Sequence, residues 1–240
     1  MKTAQVGLLA VLCLLGLIGG AVYLRAPEPA PAALPQAAER AVALPDGGVL
    51  YVQKHELSVA EWNACHEAGG CDLGLRVPEG QSAETLPATG LSHADVAQYL
   101  AWIAASTGHD FRLPTAAEWA AMARDVLPLA RAPHFTDPAL AWASAYSLEE
   151  PTPRALRPRG SFSTSPEGVA DLDGNVWEWT RDCYSGSAPP SEAGQCAAYI
   201  LGGEHLAAMF FLERDPARGG CAVGTPPAHL GARLVSDTAW

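Results

Sequence analysis

The segment from Asp171 to Tyr184, Asp-Leu-Asp-Gly-Asn-Val-Trp-Glu-Trp-Thr-Arg-Asp-Cys-Tyr, constrains the fold more than any other part of the sequence. Gly174 and Asn175 predict a tight turn, because glycine and asparagine tolerate positive φ. The Val-Trp-Glu-Trp run that follows alternates like a strand with one buried face. The acidic side chains around the turn are expected either to be solvated or to surround a hard cation such as calcium, which takes six to eight oxygen ligands.

Three other segments carry a hydroxyl residue followed three positions later by an acid. The pairs are Ser58 with Glu61, Ser92 with Asp95, and Thr115 with Glu118. This is the capping-box pattern, in which the hydroxyl and the acid each accept from a backbone amide at a helix start. It predicts helices from Val59 to about Ala68, from His93 to Ser106, and from Ala116 to about Asp125.

Residues 1–25 predict a signal or anchor segment. The uncharged run from Val6 to Leu24 would span about 28 Å as a helix, close to the thickness of a bilayer core. A signal peptide cleaved near Gly19-Gly20-Ala21 is the alternative. Both predict an extracytoplasmic, periplasmic protein that is either anchored in the inner membrane or secreted.

The rest of the chain is expected to form a tether and one domain. Residues 26–46 are rich in alanine and proline, which favours an extended linker. The globular domain is then expected to cover residues 47–240. The net charge of −11 argues against a nucleic-acid partner, because binding phosphates requires a basic surface.

The cysteines predict disulfides, because closely spaced pairs in an exported protein are commonly oxidised. Cys65 is expected to pair with Cys71, and Cys183 with Cys196. This pairing leaves Cys221 unpaired outside the N-terminal segment. Cys221 is either buried and inert or reactive.

Three motifs together resemble the formylglycine-generating enzymes, also called sulfatase-modifying factors. The first is Gly174-Asn-Val-Trp-Glu-Trp179, which matches the family signature. The second is Arg112-Leu-Pro-Thr115 with Glu118, Trp119 and Arg124. The third is Leu201-Gly-Gly203, followed later by Leu230-Gly-Ala-Arg233. The resemblance extends from about Leu50 to Val235. It implies an irregular α+β fold with little regular secondary structure, similar to C-type lectins.

The resemblance also implies a structural calcium site in the first motif. By position, its ligands would be a side-chain oxygen of Asp171, the main-chain carbonyls of Gly174 and Val176, and the carboxylate of Glu178. All four residues offer the oxygen donors that calcium requires.

The copper chemistry of the aerobic family members is not expected here. In those enzymes two cysteines that follow the Arg-Gly-Gly-Ser motif bind Cu(I), which prefers sulfur ligands. Ala207 and Leu212 occupy the matching positions and cannot bind a metal. We therefore expect no copper. The residues that could supply a different chemistry are Glu204, His205 and Cys221.

Two functions are compatible with this pattern. The first is an exported maturation factor that modifies a protein or peptide by a non-copper route. The nearly complete scaffold and Cys221 support it. The second is a membrane-tethered, calcium-stabilised binding module without catalysis, which is supported by the loss of both copper ligands. The first implies a protein or peptide partner, and the second implies a protein or glycan partner.

Overall fold

The computed structural model describes residues 32–127, 155–184, 196–204, 207–216 and 227–240. Within these residues the chain forms three helices and seven short strands. The helices are α1 (Val59–Glu67), α2 (His93–Thr107) and α3 (Ala116–Ala123). The strands are β1 (Val42–Ala43), β2 (Val49–Val52), β3 (Trp177–Cys183), β4 (Ala198–Gly202), β5 (Ala207–Phe210), β6 (Leu230–Gly231) and β7 (Val235–Ser236). This mixture confirms the predicted irregular α+β class.

The strands form two small sheets. The first is antiparallel and has the order β1-β2-β7. The second has the order β5-β4-β3-β6, and only its β3–β6 pair is parallel. Strand β3, which carries the Trp-Glu-Trp motif, is therefore an inner strand of the larger sheet.

All three helices begin where the capping boxes predicted. Ser58, Ser92 and Thr115 each accept a hydrogen bond from the backbone amide three residues later, and the acid at that position accepts from the cap amide. Helix α2 ends at Gly108, whose left-handed conformation stops the helix without steric cost. The capping box involves residues only three positions apart, so these helix starts could be predicted without knowledge of the tertiary structure.

Strand β3 is buried on both faces at its start, whereas one buried face was predicted. Trp177 to Thr180 are all buried, because Trp177 and Trp179 join the larger hydrophobic core while Glu178 points to the opposite face. There Glu178 meets Trp119, which belongs to a second hydrophobic cluster with Met122 and Val235. The acid at the centre of the motif is thus enclosed by the fold.

The folded unit begins earlier than the predicted boundary at residue 47. Residues from Ala32 onward pack with the domain, and Val42 in β1 is fully buried and pairs with Leu50 of β2. An extended proline-rich chain can add an edge strand, and the short apolar alternation around Val42 is hidden by the alanine and proline content. The predicted tether therefore contains the first strand.

The predicted N-terminal anchor lies outside the described residues. Among the residues that the structure describes, no helix is long and apolar enough to cross a membrane.

Both predicted disulfides are formed. Cys65–Cys71 closes the end of α1, with both residues buried. Cys183–Cys196 joins the end of β3 to the residues before β4. Cys183 is exposed and Cys196 is half-buried.

Candidate functional site

The turn before β3 has a different geometry from the one predicted. Asp171 and Asn175 adopt positive φ values of 66° and 73°, but Gly174 does not. Gly174 is required for another reason, since a Cβ atom there would overlap the ring of Phe162. The turn places Asp171 next to His55 and Asn175 next to Glu56, two residues that are distant in the sequence.

The carboxylate of Asp171 is buried and held by backbone amides. Oδ1 accepts from the amide of Phe162 at 2.8 Å, and Oδ2 accepts from the amide of Gly160. Burial alone would raise the pKa of Asp171, but the His55 imidazole and these two amides outweigh it and lower the pKa. Asp171 is therefore ionised at neutral pH.

Glu178 is paired with Arg233 in the interior. Its Oε1 accepts from Nε and Nη2 of Arg233 at 2.9 and 2.7 Å, and its Oε2 accepts from the Trp119 indole at 2.8 Å. Both charged side chains are almost completely buried. A buried ion pair of this kind holds its elements in one arrangement, because separating the charges leaves one of them uncompensated.

Arg233 also connects three other segments. Its Nη1 donates to the carbonyls of Gln53 and Lys54, and its Nη2 donates to the carbonyl of Ala170. Burial alone would lower the pKa of Arg233, but the neighbouring carboxylates, Glu178 first, outweigh it and raise the pKa. Arg233 therefore carries a positive charge in the interior, and its hydrogen bonds hold the guanidinium in one position.

Glu56 is the third buried carboxyl group at this centre. Its Oε1 accepts from the side-chain amide of Asn175 at 3.2 Å. Its Oε2 has no hydrogen-bond partner within the described residues and lies 4.0 Å from Nη2 of Arg233. Burial raises the pKa of Glu56 to about 8, although Arg233 opposes this shift.

His55, Glu56 and Asp171 form a cluster that could hold a metal ion. One ligand atom from each side chain lies within 4.8 Å of the other two. Nδ1 of His55 is 3.6 Å from Oδ2 of Asp171, which is too long for a hydrogen bond. This Nδ1 is buried and has no hydrogen-bond partner among the described residues. The cluster thus joins one nitrogen donor to two carboxylates.

The residues predicted to bind calcium offer the right donor type, but their carboxylates are already engaged. All four side-chain oxygens of Asp171 and Glu178 accept hydrogen bonds from protein groups. The carbonyl of Gly174 accepts from the amide of Val176 at 3.0 Å. A calcium ion at this set would have to share these oxygens with their present donors.

The residues predicted to carry catalysis are only partly described. Glu204 follows β4 and is half-buried, whereas His205 and Cys221 lie outside the described residues. Ala207, at the first position that matches a copper-binding cysteine, is buried in β5 opposite Leu201. Leu212, at the second position, is 54% exposed.

Sequence analysis missed His55 and Glu56. The two residues form an isolated His-Glu pair between β2 and α1, and no spacing links them to Asp171. The burial of Glu56 becomes visible only in the folded chain. The pairing of Glu178 with Arg233 was also missed, although both residues belong to the motifs that carry the family resemblance.

Comparison with known proteins agrees with this architecture. The formylglycine-generating enzyme of Mycobacterium tuberculosis is 28% identical over 189 residues, which cover 63% of this chain. The chain spans 57% of the length of that relative.

Two solved structures share the fold. PvdO from Pseudomonas aeruginosa matches with a TM-score of 0.53 at 19% identity. The match covers 83% of this chain and 91% of the PvdO chain. CarF has a TM-score of 0.52 at 15% identity, with coverages of 80% and 87%. A family model for the sulfatase-modifying factor enzyme 1-like domain matches residues 14–238. The chain therefore belongs to the sulfatase-modifying factor enzyme 1-like, or formylglycine-generating enzyme, family.

Proposed function

We propose that this chain is an exported maturation factor that acts on a protein or peptide without copper–thiolate chemistry. The observation that carries the proposal is the pair Ala207 and Leu212, which stands where a copper-binding member needs two cysteines. Neither an alanine methyl nor a leucine side chain can bind Cu(I), which requires soft donors such as thiolates. The capping boxes, the Trp-Glu-Trp motif and Arg233 are retained, whereas Leu201, Glu204 and His205 replace the residues that the family usually has in the third motif.

Export is supported by the two disulfides. Such bonds persist in oxidising compartments and are rare in the cytoplasm. The apolar run of Val6–Leu24 would direct the chain there, as an inner-membrane anchor or as a cleaved signal.

A protein or peptide partner is consistent with the surface around β5. This strand lies at the edge of the four-stranded sheet. Phe210, the last residue of this strand, is 49% exposed, and Leu212, two residues later, is 54% exposed. An edge strand with exposed apolar side chains can bind an extended peptide by adding a strand.

The reactive residues in this proposal are Cys221, His205 and Glu204. A thiol, an imidazole and a carboxyl group can serve as nucleophile, base and orienting acid. All three come from the part of the chain that follows the Gly202-Gly203 motif. Gly202 is needed where it is, since a Cβ atom there would overlap the ring of Trp119.

A non-catalytic binding module is the second candidate. The exposed apolar side chains of Phe210 and Leu212 favour it, because the same surface would serve binding without chemistry. In either case we propose that calcium stabilises the domain at Asp171, Gly174, Val176 and Glu178.

The decisive experiment compares the exported proteins of the source organism with and without this gene, using mass spectrometry to find side-chain modifications. A modification that disappears on deletion should return with the wild-type gene. It should not return with Cys221→Ser or His205→Ala if the chain is an enzyme. Full recovery with both variants, or no modification at all, would favour the binding module.

The copper part of the proposal has its own test. The purified chain should not retain stoichiometric Cu(I) in competition with a Cu(I) chelator. Retention of one equivalent would contradict the proposal.

A further inference from the structure

We propose that His55, Glu56 and Asp171 form a binding site for a borderline divalent cation of the Zn²⁺ class. This site is distinct from the predicted calcium set, from which it takes only Asp171. It does not depend on the proposed maturation activity, because cation binding can be measured without any substrate or partner.

The distances suit a small cation. Two ligands that are each about 2.1 Å from a tetrahedral Zn²⁺ ion stand about 3.4 Å apart. Nδ1 of His55 and Oδ2 of Asp171 are 3.6 Å apart, and one ligand atom from each of the three side chains lies within 4.8 Å of the other two. A movement of the ligand atoms by about 1.4 Å or less would bring them to the spacing of a three-ligand site.

Two buried polar atoms at this centre lack a partner. Among the described residues, Oε2 of Glu56 and Nδ1 of His55 make no hydrogen bond, and the Glu56 side chain is only 1% exposed. Leaving such atoms unsatisfied destabilises the folded state. A cation between them would satisfy both.

The charges also favour a divalent cation. The buried centre contains three carboxyl groups, of Glu56, Asp171 and Glu178, and one guanidinium, of Arg233. Arg233 does not compensate Glu56 fully, because their nearest charged atoms are 4.0 Å apart and its closer contact is with Glu178.

The donor set selects the kind of cation. Calcium and magnesium prefer oxygen ligands, whereas an imidazole nitrogen with two carboxylates suits Zn²⁺ and its neighbours in the first transition series. The amides of Gly160 and Phe162 would fix the orientation of the Asp171 carboxylate, as outer-shell donors do in metal sites. The His55 side chain is 21% exposed, which leaves a route from solvent.

The test uses the full chain, without an affinity tag and freed of metal with a chelator. Zn²⁺ binding is measured by calorimetry, and Co²⁺ is used as a spectroscopic probe of the ligand field. The variants are His55→Ala and Glu56→Gln, and the control is His66→Gln, which removes an exposed histidine elsewhere. His55→Ala keeps the test valid if the buried Glu56→Gln variant does not fold.

We expect one equivalent of Zn²⁺ in the wild type and in His66→Gln. We expect at least about tenfold weaker binding in His55→Ala, since one of three protein ligands is lost, together with loss of the Co²⁺ spectrum. Wild-type affinity in His55→Ala would overturn the site. So would the absence of Zn²⁺ binding to the wild type, which would leave a proton on Glu56 as the neutralising species.

Discussion

The guanidinium of Arg233 donates two hydrogen bonds to a single oxygen of Glu178, at 2.9 and 2.7 Å, in the interior of the domain. Glu178 lies on β3 of the larger sheet, and Arg233 lies between β6 and β7. The pair therefore ties the Trp-Glu-Trp motif to the end of the chain. Since Arg233 also holds the carbonyls of Gln53 and Lys54, one side chain links both sheets.

Removing one partner of this pair should be strongly destabilising. We expect Glu178→Gln to lower the free energy of unfolding by about 3–5 kcal/mol, because Arg233 would remain as a poorly compensated buried charge. Urea denaturation at neutral pH measures the change. Arg124→Gln is the control, since Arg124 forms a solvent-exposed pair with Asp125 and its loss should cost less than about 1 kcal/mol.

The double variant Glu178→Gln/Arg233→Met should cost clearly less than the sum of the two single changes. Coupled residues give non-additive effects, and the double variant leaves no unpaired charge behind. Strictly additive losses would show that the pair makes no specific contribution.

Calcium should raise the melting temperature if the predicted calcium set is occupied. A cation that binds only the native state stabilises it by about 2.7 kcal/mol at a concentration one hundred times its Kd. The measurement compares thermal unfolding in excess calcium and in excess chelator, with magnesium as the control ion. Equal melting temperatures would contradict calcium binding at Asp171, Gly174, Val176 and Glu178.

His93 should make the domain acid-sensitive. It is the first residue of α2, and its ring stacks on Tyr199 with the ring centroids 3.5 Å apart. Burial lowers the pKa of His93 to about 4, although a hydrogen bond to the Thr180 backbone opposes the shift. The amino end of a helix also disfavours a positive charge.

The sign of the effect follows from proton linkage. Below the ordinary histidine pKa of about 6.5 the unfolded chain takes up a proton that folded His93 does not bind until the pH is near 4. Stability contributed by neutral His93 is therefore lost as the pH falls from about 6.5 to about 4, by up to roughly 3 kcal/mol.

His93→Phe keeps an aromatic ring at this position and should flatten the dependence of the unfolding free energy on pH between about 6.5 and 4. His66→Gln is the control, and an unchanged slope in His93→Phe would contradict the prediction.

How much of this structure the sequence could predict depends on how local each signal is. The three capping boxes and the two disulfides involve residues close together in the chain, and all were predicted. The Asp171–Glu178 segment was recognised as central, but its partners His55, Glu56 and Arg233 come from distant positions. No periodicity connects them, because only the folded chain brings the residues after β2 against the turn before β3.

Two local expectations failed for reasons of packing. The strand pattern of β3 predicts one buried face, yet a charged residue on its other face is enclosed because Arg233 neutralises it. The turn chemistry expected positive φ at Gly174 and Asn175; Asn175 adopts it, but Gly174 does not, and Asp171 adopts it instead while its side chain accepts from the amides of Gly160 and Phe162. Local propensity cannot foresee a tertiary hydrogen bond that outweighs it.

The two disulfides should differ in how readily they are reduced in the native protein. Thiol–disulfide exchange requires a thiolate to reach one sulfur of the bond. Cys183 is exposed and Cys196 half-buried, whereas Cys65 and Cys71 are only 0% and 3% exposed. A mild dithiol reductant should therefore open Cys183–Cys196 first.

Quenching with an alkylating reagent and peptide mass spectrometry would follow both bonds in the same sample, so the buried bond is the internal control. We expect Cys183 and Cys196 to be labelled before any label appears on Cys65 or Cys71, whose reduction should require opening of the end of α1. Adding urea below the unfolding midpoint should speed labelling of the buried pair more than that of the exposed pair, because only the former waits for unfolding. Equal rates for the two bonds without denaturant would mean that access to Cys183–Cys196 also depends on unfolding, and would contradict the order predicted from exposure.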